Sequence, residues 1–266
     1  MKIAWLTDIH LNFLDEPEVA KFLHKVATLE ADLLLICGDV GESNSVGDYL
    51  DQIAASSPVP VYFVLGNHDF YLGSISEVRN RISQQALEND RLVYLTSEEV
   101  QSLGQRIALI GDDGWADARL GDPYGTSVEL NDFRLIDELT GLERVKLVSK
   151  LKNLGRKAAM RLAPKLKMAI EGHDHILIAT HVPPFRDAIL YEGRVADDEW
   201  LPWFSCHAIG EVVRNYADAW PDKKFTLFCG HTHHRADLSL THNLSIKIAD
   251  AEYGNPCIES ILIAAV

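Results

Sequence analysis

The sequence predicts an α/β fold with a largely parallel sheet in its first half and antiparallel strands near its carboxyl end. Short apolar runs alternate with segments of helical periodicity through the first half, as in βαβ units. The last three apolar runs follow one another without intervening helices, which favours antiparallel pairing. The chain has 266 residues, 47% of them hydrophobic, and no internal repeat or Pro/Gly-rich linker. We therefore predict a single domain over residues 1–266.

The individual elements follow from these patterns in order. Residues 16–30 repeat apolar side chains at spacings of three and four, as an amphipathic helix requires, and Pro17 suits its first turn. Further helices are predicted at residues 46–56 and 74–88. The predicted strands lie at 2–6, 32–37, 60–65, 91–95 and 106–111, and then at 175–181, 224–233, 236–240, 244–250 and 257–265.

Residues 129–171 have a polar, helical composition and are predicted to form a helical insertion into the α/β body. Within this segment, residues 144–167 carry nine Lys or Arg and no acidic residue. The interleaved apolar residues predict a solvated basic face over a packed stripe; contact with a membrane or nucleic acid is the alternative. A basic segment that caps a binding site would also attract anionic substrates.

The composition bounds the partners and the cellular setting. A net charge of -14 argues against stable nucleic-acid binding. No apolar stretch approaches the roughly 18 residues of a membrane span, and the first residues lack the pattern of a secretory signal. The four cysteines form no C-x-x-C pair and are predicted to fill the core. We therefore expect a cytoplasmic protein without membrane contact, and the sequence defines no oligomeric state.

Five short polar clusters each follow a strand-like apolar run. Because the carboxyl ends of parallel strands face one crevice, residues just beyond these ends are expected to converge. The clusters are Asp8-Ile9-His10, Gly38-Asp39, Gly66-Asn67-His68-Asp69, Thr180-His181 and Gly230-His231-Thr232-His233.

The residue types within the clusters predict a metal site. Residues i and i+2 of an extended segment project to the same side, so Asp8 with His10, and His231 with His233, can each hold metal. Glycines before the polar residues let the backbone turn sharply. Carboxylate, amide oxygen and imidazole suit Mn, Fe or Zn, and the lack of thiolates argues against a structural zinc or iron–sulfur site.

The order D-x-H, G-D, G-N-H-D, T-H and G-H-T-H over residues 8–233 resembles the calcineurin-like metallophosphoesterases. This resemblance implies a two-sheet β-sandwich flanked by helices, with two metal ions drawn from Mn, Fe or Zn. It also implies that Asp39 bridges the two ions. The remaining ligands would be Asp8, His10 and His233 for one ion, and Asn67, His181 and His231 for the other.

The same resemblance implies the reaction. A metal-bridging hydroxide would attack a phosphomonoester or phosphodiester, His68 would donate a proton to the leaving group, and Asp69 would favour the charged imidazole. The substrate would be a small phosphorylated molecule, with a nucleotide as one candidate. The protein Ser/Thr phosphatase branch has an Asp-Arg pair after the second cluster, which GDVGESNSVGD lacks, so that activity is disfavoured. The alternative is a catalytically silent binding scaffold, which the complete ligand set disfavours.

Several other residues are weighed against structural roles. His173 and His175 flank Asp174, so a second metal site is the alternative to two structural histidines, and His207 is a candidate for lining the pocket. The acidic loop 111–115 is either a rim of the site or a buried turn. The aromatic patch at 200–204 is either a platform for a nucleobase or part of the core or a subunit contact.

Overall fold

The computed structural model describes residues 1–104 and 106–263, and its first sheet is predominantly parallel. This sheet contains β1 (Lys2–Leu6), β2 (Leu33–Cys37), β3 (Val61–Val64), β4 (Leu92–Tyr94) and β13 (Glu259–Leu262). The strand order is β13-β1-β2-β3-β4, with β1 to β4 parallel and β13 antiparallel to β1.

Three helices connect the parallel strands of the first sheet: α1 (Glu16–Ala27), α2 (Val46–Ser56) and α3 (Ile75–Glu88). All three agree closely with the predicted segments. At the start of α1 the Asp15 carboxylate accepts from the Glu18 amide at 2.9 Å, and the Glu18 carboxylate accepts from the Asp15 amide at 3.1 Å. This capping box satisfies amide groups that would otherwise lack a partner, and it fixes where the helix begins.

The second sheet contains β5 (Gln101–Ser102), β6 (Ile107–Gly111), β7 (His175–Ala179), β10 (Lys224–Cys229), β11 (Ala236–Ser239) and β12 (Leu244–Ile248). Its order is β11-β12-β10-β7-β6-β5, with a parallel centre and antiparallel edge strands. Its flanking helices are α5 (Arg144–Gly172) and α7 (His207–Ala219), and α7 has no counterpart in the predicted elements. The remaining short elements are α4 (Asp132–Leu135), α6 (Leu201–Phe204), β8 (Leu190–Tyr191) and β9 (Arg194–Val195).

The helical segment predicted for residues 129–171 is present, but α5 is not an insertion. It is the connection between the parallel strands β6 and β7, and its carboxyl half buries Leu162, Leu166 and Ile170 with the apolar residues of the second sheet. Such a crossover helix is what a parallel strand pair requires. The basic residues lie mainly at the surface, as the solvated-face interpretation predicts, with the exception of the buried Lys165.

The predicted antiparallel pairing at the carboxyl end is confirmed for two of the three strands. Strands β11 and β12 pair antiparallel, and β12 also pairs parallel with β10. The prediction is wrong for β13, which crosses to the first sheet and pairs with β1. Residues 264–266 lie outside the described part of the chain.

The two sheets pack face to face around a shared core. Trp5 of β1 and Phe228 of β10 meet edge to face at 5.2 Å, and Leu35 and Leu177 belong to the same buried cluster. Three of the four cysteines are buried as predicted, but Cys257 is exposed, so the expectation that it fills the core is wrong. Among the described helices, none has both the length and the apolarity needed to cross a membrane.

Candidate metal centre

All five polar clusters meet at one edge of the sandwich, where strands of both sheets end. Asp8, Asp39 and Asn67 follow β1, β2 and β3 of the first sheet, whereas His181 and His231 follow β7 and β10 of the second. Their side chains are buried at the junction between the sheets. The polar clusters therefore converge at the strand ends, as the sequence predicts.

One set of donor atoms is formed by Asp8, His10 and His233. The Nε2 atoms of the two histidines lie 3.3 Å apart, and Nε2 of His233 lies 3.3 Å from Oδ1 of Asp8. Together with Asp39 these residues offer ligand atoms that all lie within 4.8 Å of one another. This is a candidate metal-binding cluster.

A second set is formed by Asn67, His181 and His231. The Asn67 Oδ1 atom lies 3.1 Å from Nε2 of His181 and 2.9 Å from Nδ1 of His231. Oδ2 of Asp39 lies between the two sets, 3.4 Å from Nε2 of His181 and 3.8 Å from Nε2 of His10. Asp39 thus contacts both groups of donors, and Oδ1 of Asp8 also lies 4.0 Å from Nε2 of His181.

The backbone at these clusters is left-handed rather than extended. The φ angle is 51° at Asp8 and 41° at His10, and it is 70° at His231 and 56° at His233. The paired residues do reach one centre, but the predicted extended geometry is wrong. Non-glycine residues adopt this region infrequently and at a cost, and such conformations occur preferentially at functional sites.

Glycines next to the donors leave space for the donor side chains. A Cβ atom on Gly66 would clash with the carboxylate of Asp39, and one on Gly230 would clash with Thr7 and Asp8. Glycine at both positions therefore allows the neighbouring side chains to approach the backbone closely.

Two backbone carbonyls orient the buried imidazoles of the second set. Nδ1 of His181 lies 2.7 Å from the carbonyl oxygen of Cys37, and Nε2 of His231 lies 3.0 Å from that of Trp203. Because a carbonyl accepts only, each of these nitrogens carries the proton and the other nitrogen of the ring faces the centre. Metal-binding histidines are commonly held in this way.

Asp132 fixes the orientation of the Asn67 side-chain amide, and the sequence did not reveal this role. Its buried Oδ1 accepts from Nδ2 of Asn67 at 2.8 Å and from the Tyr71 hydroxyl at 2.7 Å. Because the amide nitrogen is engaged, Oδ1 of Asn67 must face His181 and His231. Asp132 follows no strand, so the strand-end argument could not find it.

The buried histidines of the centre differ in their pKa values. Burial lowers the pKa of His10 and of His231 to about 4, so both rings are neutral near pH 7. Burial also opposes the charge of His181, but Asp39 outweighs it and raises the pKa of His181 to about 10. Against the effect of burial, His181 in turn holds the pKa of Asp39 well below its usual range.

His68 lies at the open side of the centre. Its amide donates to Oδ1 of Asp39 at 2.8 Å, and its Nε2 lies 4.0 Å from Oδ2 of the same carboxylate. The ring stacks on Tyr71 with the centroids 4.2 Å apart, and it remains partly exposed. It therefore faces the volume in front of the donors.

The Asp69 carboxylate binds backbone amides rather than His68. Burial, followed by the negative charge of Asp39, raises its pKa to about 7, and the amide donors act in the opposite direction. The two loops that carry Asp39 and Asn67 are held together by this side chain. Its four donors are the amides of Asp39, Val40, Gly41 and Gly66, at 2.8 to 3.0 Å.

A cleft of about 390 Å³ opens over the donors. Its walls include Glu129, Asp132 at the start of α4, and the ring of Tyr253, which lies 4.5 Å from His10 and 5.0 Å from His233. Tyr253 is a second residue that the sequence did not reveal. The basic stretch 144–167 contributes no residue to the lining among the described residues, so it does not cap this cleft.

The remaining candidates divide between structural roles and the cleft wall. Asp113 is buried and accepts hydrogen bonds from Leu65, Tyr94 and Thr96, so the loop 111–115 is a buried turn and not a rim. In the aromatic patch, Trp203 belongs to the core, while Trp200 and Phe204 line the cleft.

The other histidines make structural contacts. His173 contacts Ser102, and His175 contacts Thr226 at 2.9 Å, so they do not share a centre. His207 faces Glu211 at 3.9 Å and is not part of the described lining of the cleft.

The fold and the ordered clusters define the class of protein. Residues 1–235 match the family model of the calcineurin-like phosphoesterases, and the chain belongs to this family. Individual relatives include the UDP-2,3-diacylglucosamine hydrolases of Yersinia pseudotuberculosis and Yersinia pestis, which are 32% identical over 127 residues. The match covers 42% of this chain and 48% of the relatives, so it spans less than half of their length.

Solved structures share the fold. The phosphopantetheinyl hydrolase from Mycobacterium tuberculosis superimposes with a TM-score of 0.64 at 16% identity, covering 95% of this chain and 90% of that one. A dimetal phosphatase from Danio rerio gives a TM-score of 0.59 at 14% identity, covering 98% and 91%. The predicted α/β fold with two sheets flanked by helices is confirmed.

Proposed function

We propose that this protein hydrolyses small phosphoesters with the help of two metal ions bound at the edge of the sandwich. The observation that carries the proposal is the pair of donor sets that share Asp39 under an open cleft. Oxygen and imidazole donors without thiolate suit Mn, Fe or Zn, and each buried histidine of the second set is held by a backbone carbonyl so that its other ring nitrogen faces the centre. The residues therefore fit the ions that the family implies.

We assign the ligands in two groups with a common bridge. Asp39 serves both ions because its carboxylate lies between the donor sets. Bound ions supply positive charge that neutralises phosphate oxygens and lowers the pKa of a water molecule. One ion is assigned to Asp8, His10 and His233, and the other to Asn67, His181 and His231.

The protein's own side chains orient the substrate and move the proton. His68 faces the cleft with its Nε2 atom 4.0 Å from the Asp39 carboxylate, and we assign it the donation of a proton to the leaving oxygen. Asp69 we assign to holding the loops together, because its carboxylate oxygens are engaged by backbone amides. This replaces the catalytic role predicted from the sequence.

The size of the cleft suits a small phosphorylated molecule. Its volume of about 390 Å³ lies at the small end of ordinary ligand pockets. Relatives and neighbours are named for UDP-2,3-diacylglucosamine and phosphopantetheinyl substrates, which are phosphorylated organic molecules of this kind. A nucleotide remains one candidate, and a cytoplasmic location stays part of the proposal.

The test is hydrolysis of p-nitrophenyl phosphate and bis-p-nitrophenyl phosphate by protein loaded with Mn²⁺, with Asp39→Asn as the matched inactive variant. We expect turnover of at least one of the two esters by the wild type and severe loss in Asp39→Asn. Metal content measured on the same samples separates the alternatives. Bound metal without turnover of any phosphoester would instead identify a catalytically silent scaffold.

A further inference from the structure

A small apolar recess of about 130 Å³ lies beside the catalytic cleft. It shares Trp200, Phe204 and Thr232 with the cleft, so a ligand can occupy both volumes at once. The ring of Phe204 lies 4.7 Å from the ring of His231, one of the metal donors. The Phe204 side chain therefore connects the recess to the candidate metal centre.

Two large aromatic side chains at the recess are left uncovered by the protein. Tyr191 is 59% exposed and Trp200 is 42% exposed, although both are large enough to contribute strongly to a core. Their rings are nearly parallel, with an interplanar angle of 7° and centroids 6.4 Å apart. The β8–β9 hairpin and the residue before α6 thus present flat apolar faces beside the recess.

The chemistry of the lining selects for a ring rather than for a charged or sugar group. The described lining contains no Lys, Arg, Asp or Glu, and its polar groups are the side chains of Thr232 and His234, the Tyr191 hydroxyl and the Trp200 indole N–H. A polyol placed there would lose most of its hydrogen bonds to water. The volume is close to that of a cavity of about 150 Å³ that holds benzene, which corresponds to a single ring.

We propose that this recess is a subsite for a planar aromatic ring carried on the organic part of the phosphoester. The proposal rests on the proposed function for the phosphate end, which the metal centre would hold. The ring packs in the recess against the side chains of Trp200 and Tyr191, whose own rings lie nearly parallel to each other. Specificity then comes from elements outside the ligand motifs.

The first test is calorimetric binding of three unreactive phosphonates to the Mn²⁺-loaded protein: butyl, decyl and 4-phenylbutyl. Base–aromatic stacking predicts that the phenylbutyl compound binds at least about tenfold more tightly than butyl. Decylphosphonate has the same number of carbon atoms as the phenylbutyl compound, so it distinguishes a ring site from a site for a flexible chain. Equal affinity of butyl and phenylbutyl, tighter binding of decyl, or no binding of any of the three overturns the proposal.

Matched variants test whether the preference for the phenylbutyl compound arises in the recess. Trp200→Ala and Tyr191→Ala should bring the ratio of phenylbutyl to butyl affinity close to one. Trp220→Ala and Tyr124→Ala remove aromatic residues of similar exposure, 46% and 58%, outside the recess and should preserve the ratio. A ratio that survives in both recess variants would contradict the assignment.

Turnover measurements separate this proposal from the proposed function. We expect uridine 5′-monophosphate to be hydrolysed more efficiently than ribose 5-phosphate if a nucleobase supplies the ring, and 4-phenylbutyl phosphate to exceed butyl phosphate if any aryl group does. Tighter binding of the phenylbutyl than of the butyl compound, without hydrolysis of any ester, would overturn the proposed function alone. Hydrolysis without any preference for an aromatic group would overturn the proposed aromatic subsite alone.

Discussion

His68 is the residue whose substitution best separates chemistry from metal binding. It faces the cleft but lies outside both donor sets, so His68→Ala should retain both ions. Loss of general-acid help should lower turnover of esters with poor leaving groups by about 10²- to 10⁴-fold, and p-nitrophenyl esters should lose less. Steady-state rates and metal content of the same samples check this.

His207→Ala is the control for this substitution, because His207 lies outside the described lining of the cleft. Loss of metal from His68→Ala would show that His68 is a ligand and not a proton donor.

Asp132 acts through Asn67, and its substitution should therefore change metal affinity. In Asp132→Asn the side chain no longer obliges the Asn67 amide to point its oxygen at His181 and His231. We expect affinity for the ion held by Asn67 to fall about 10- to 100-fold, as for other residues that orient ligands. Competitive chelator titration measures this, with the exposed Asp137→Asn as control. Unchanged affinity in Asp132→Asn would refute the orienting role.

Helix α5 is attached to the first and second sheets by one buried lysine. Nζ of Lys165 donates to the carbonyl oxygens of Leu95, Thr96 and Gly111. Lys165→Met would leave three buried carbonyls without this donor, so we expect a loss of about 2 to 4 kcal/mol in the free energy of unfolding. Urea denaturation checks this, and the exposed Lys167→Met should stay within about 0.5 kcal/mol of the wild type.

The second sheet carries a buried histidine that makes stability depend on pH. Burial lowers the pKa of His175 to about 4, whereas a histidine in an unfolded chain has its ordinary pKa of 6.5. The unfolded state therefore holds more protons between these values, and stability falls as the pH decreases through this range. The contribution of His175 to the slope of the free energy of unfolding against pH cannot exceed about 1.4 kcal/mol per pH unit.

The measurement is the urea midpoint of metal-free protein between pH 7 and pH 4. The urea midpoint should decline less steeply with decreasing pH in His175→Gln than in the wild type. In the control, substitution of the exposed His242 by Gln, the decline should match that of the wild type. Parallel curves for His175→Gln and the wild type would mean that this residue is not neutral in the folded protein.

At the scale of the whole molecule, the candidate metal centre joins the two sheets. Donors from β1, β2 and β3 meet donors from β7 and β10, so the site exists only when both sheets are packed together. Metal should therefore bind the folded state selectively and stabilise it, by about 2.7 kcal/mol per site at one hundred times the dissociation constant. Thermal unfolding with Mn²⁺ and with a chelator tests this.

In these melts the increment from Mn²⁺ should shrink in Asp39→Asn and persist in the exposed Asp222→Asn. An equal increment in Asp39→Asn would show that the ion acts elsewhere.

The sequence predicts most of this arrangement because its strongest patterns are local. Strand ends followed by Asp, Asn or His locate the donors, and helical periodicity locates α1, α2 and α3. Strand β13 could not be placed, because its partner β1 lies at the other end of the chain and no local pattern records that pairing. Asp132 reaches the site from the first residue of the short helix α4 and Tyr253 from an irregular segment, and neither follows a strand whose end would mark its position.

The pairing of β13 with β1 also has a consequence for the order of folding during synthesis. One edge of β1 has its partner only once residues 259–262 have left the ribosome. At about 5 to 20 residues per second, this leaves an unpaired strand edge for roughly ten to fifty seconds. Unpaired edges are templates for wrong association. A nascent chain of this protein is thus vulnerable to wrong association at this edge of β1 until β13 is available, and chaperone binding to β1 would be most useful in that interval.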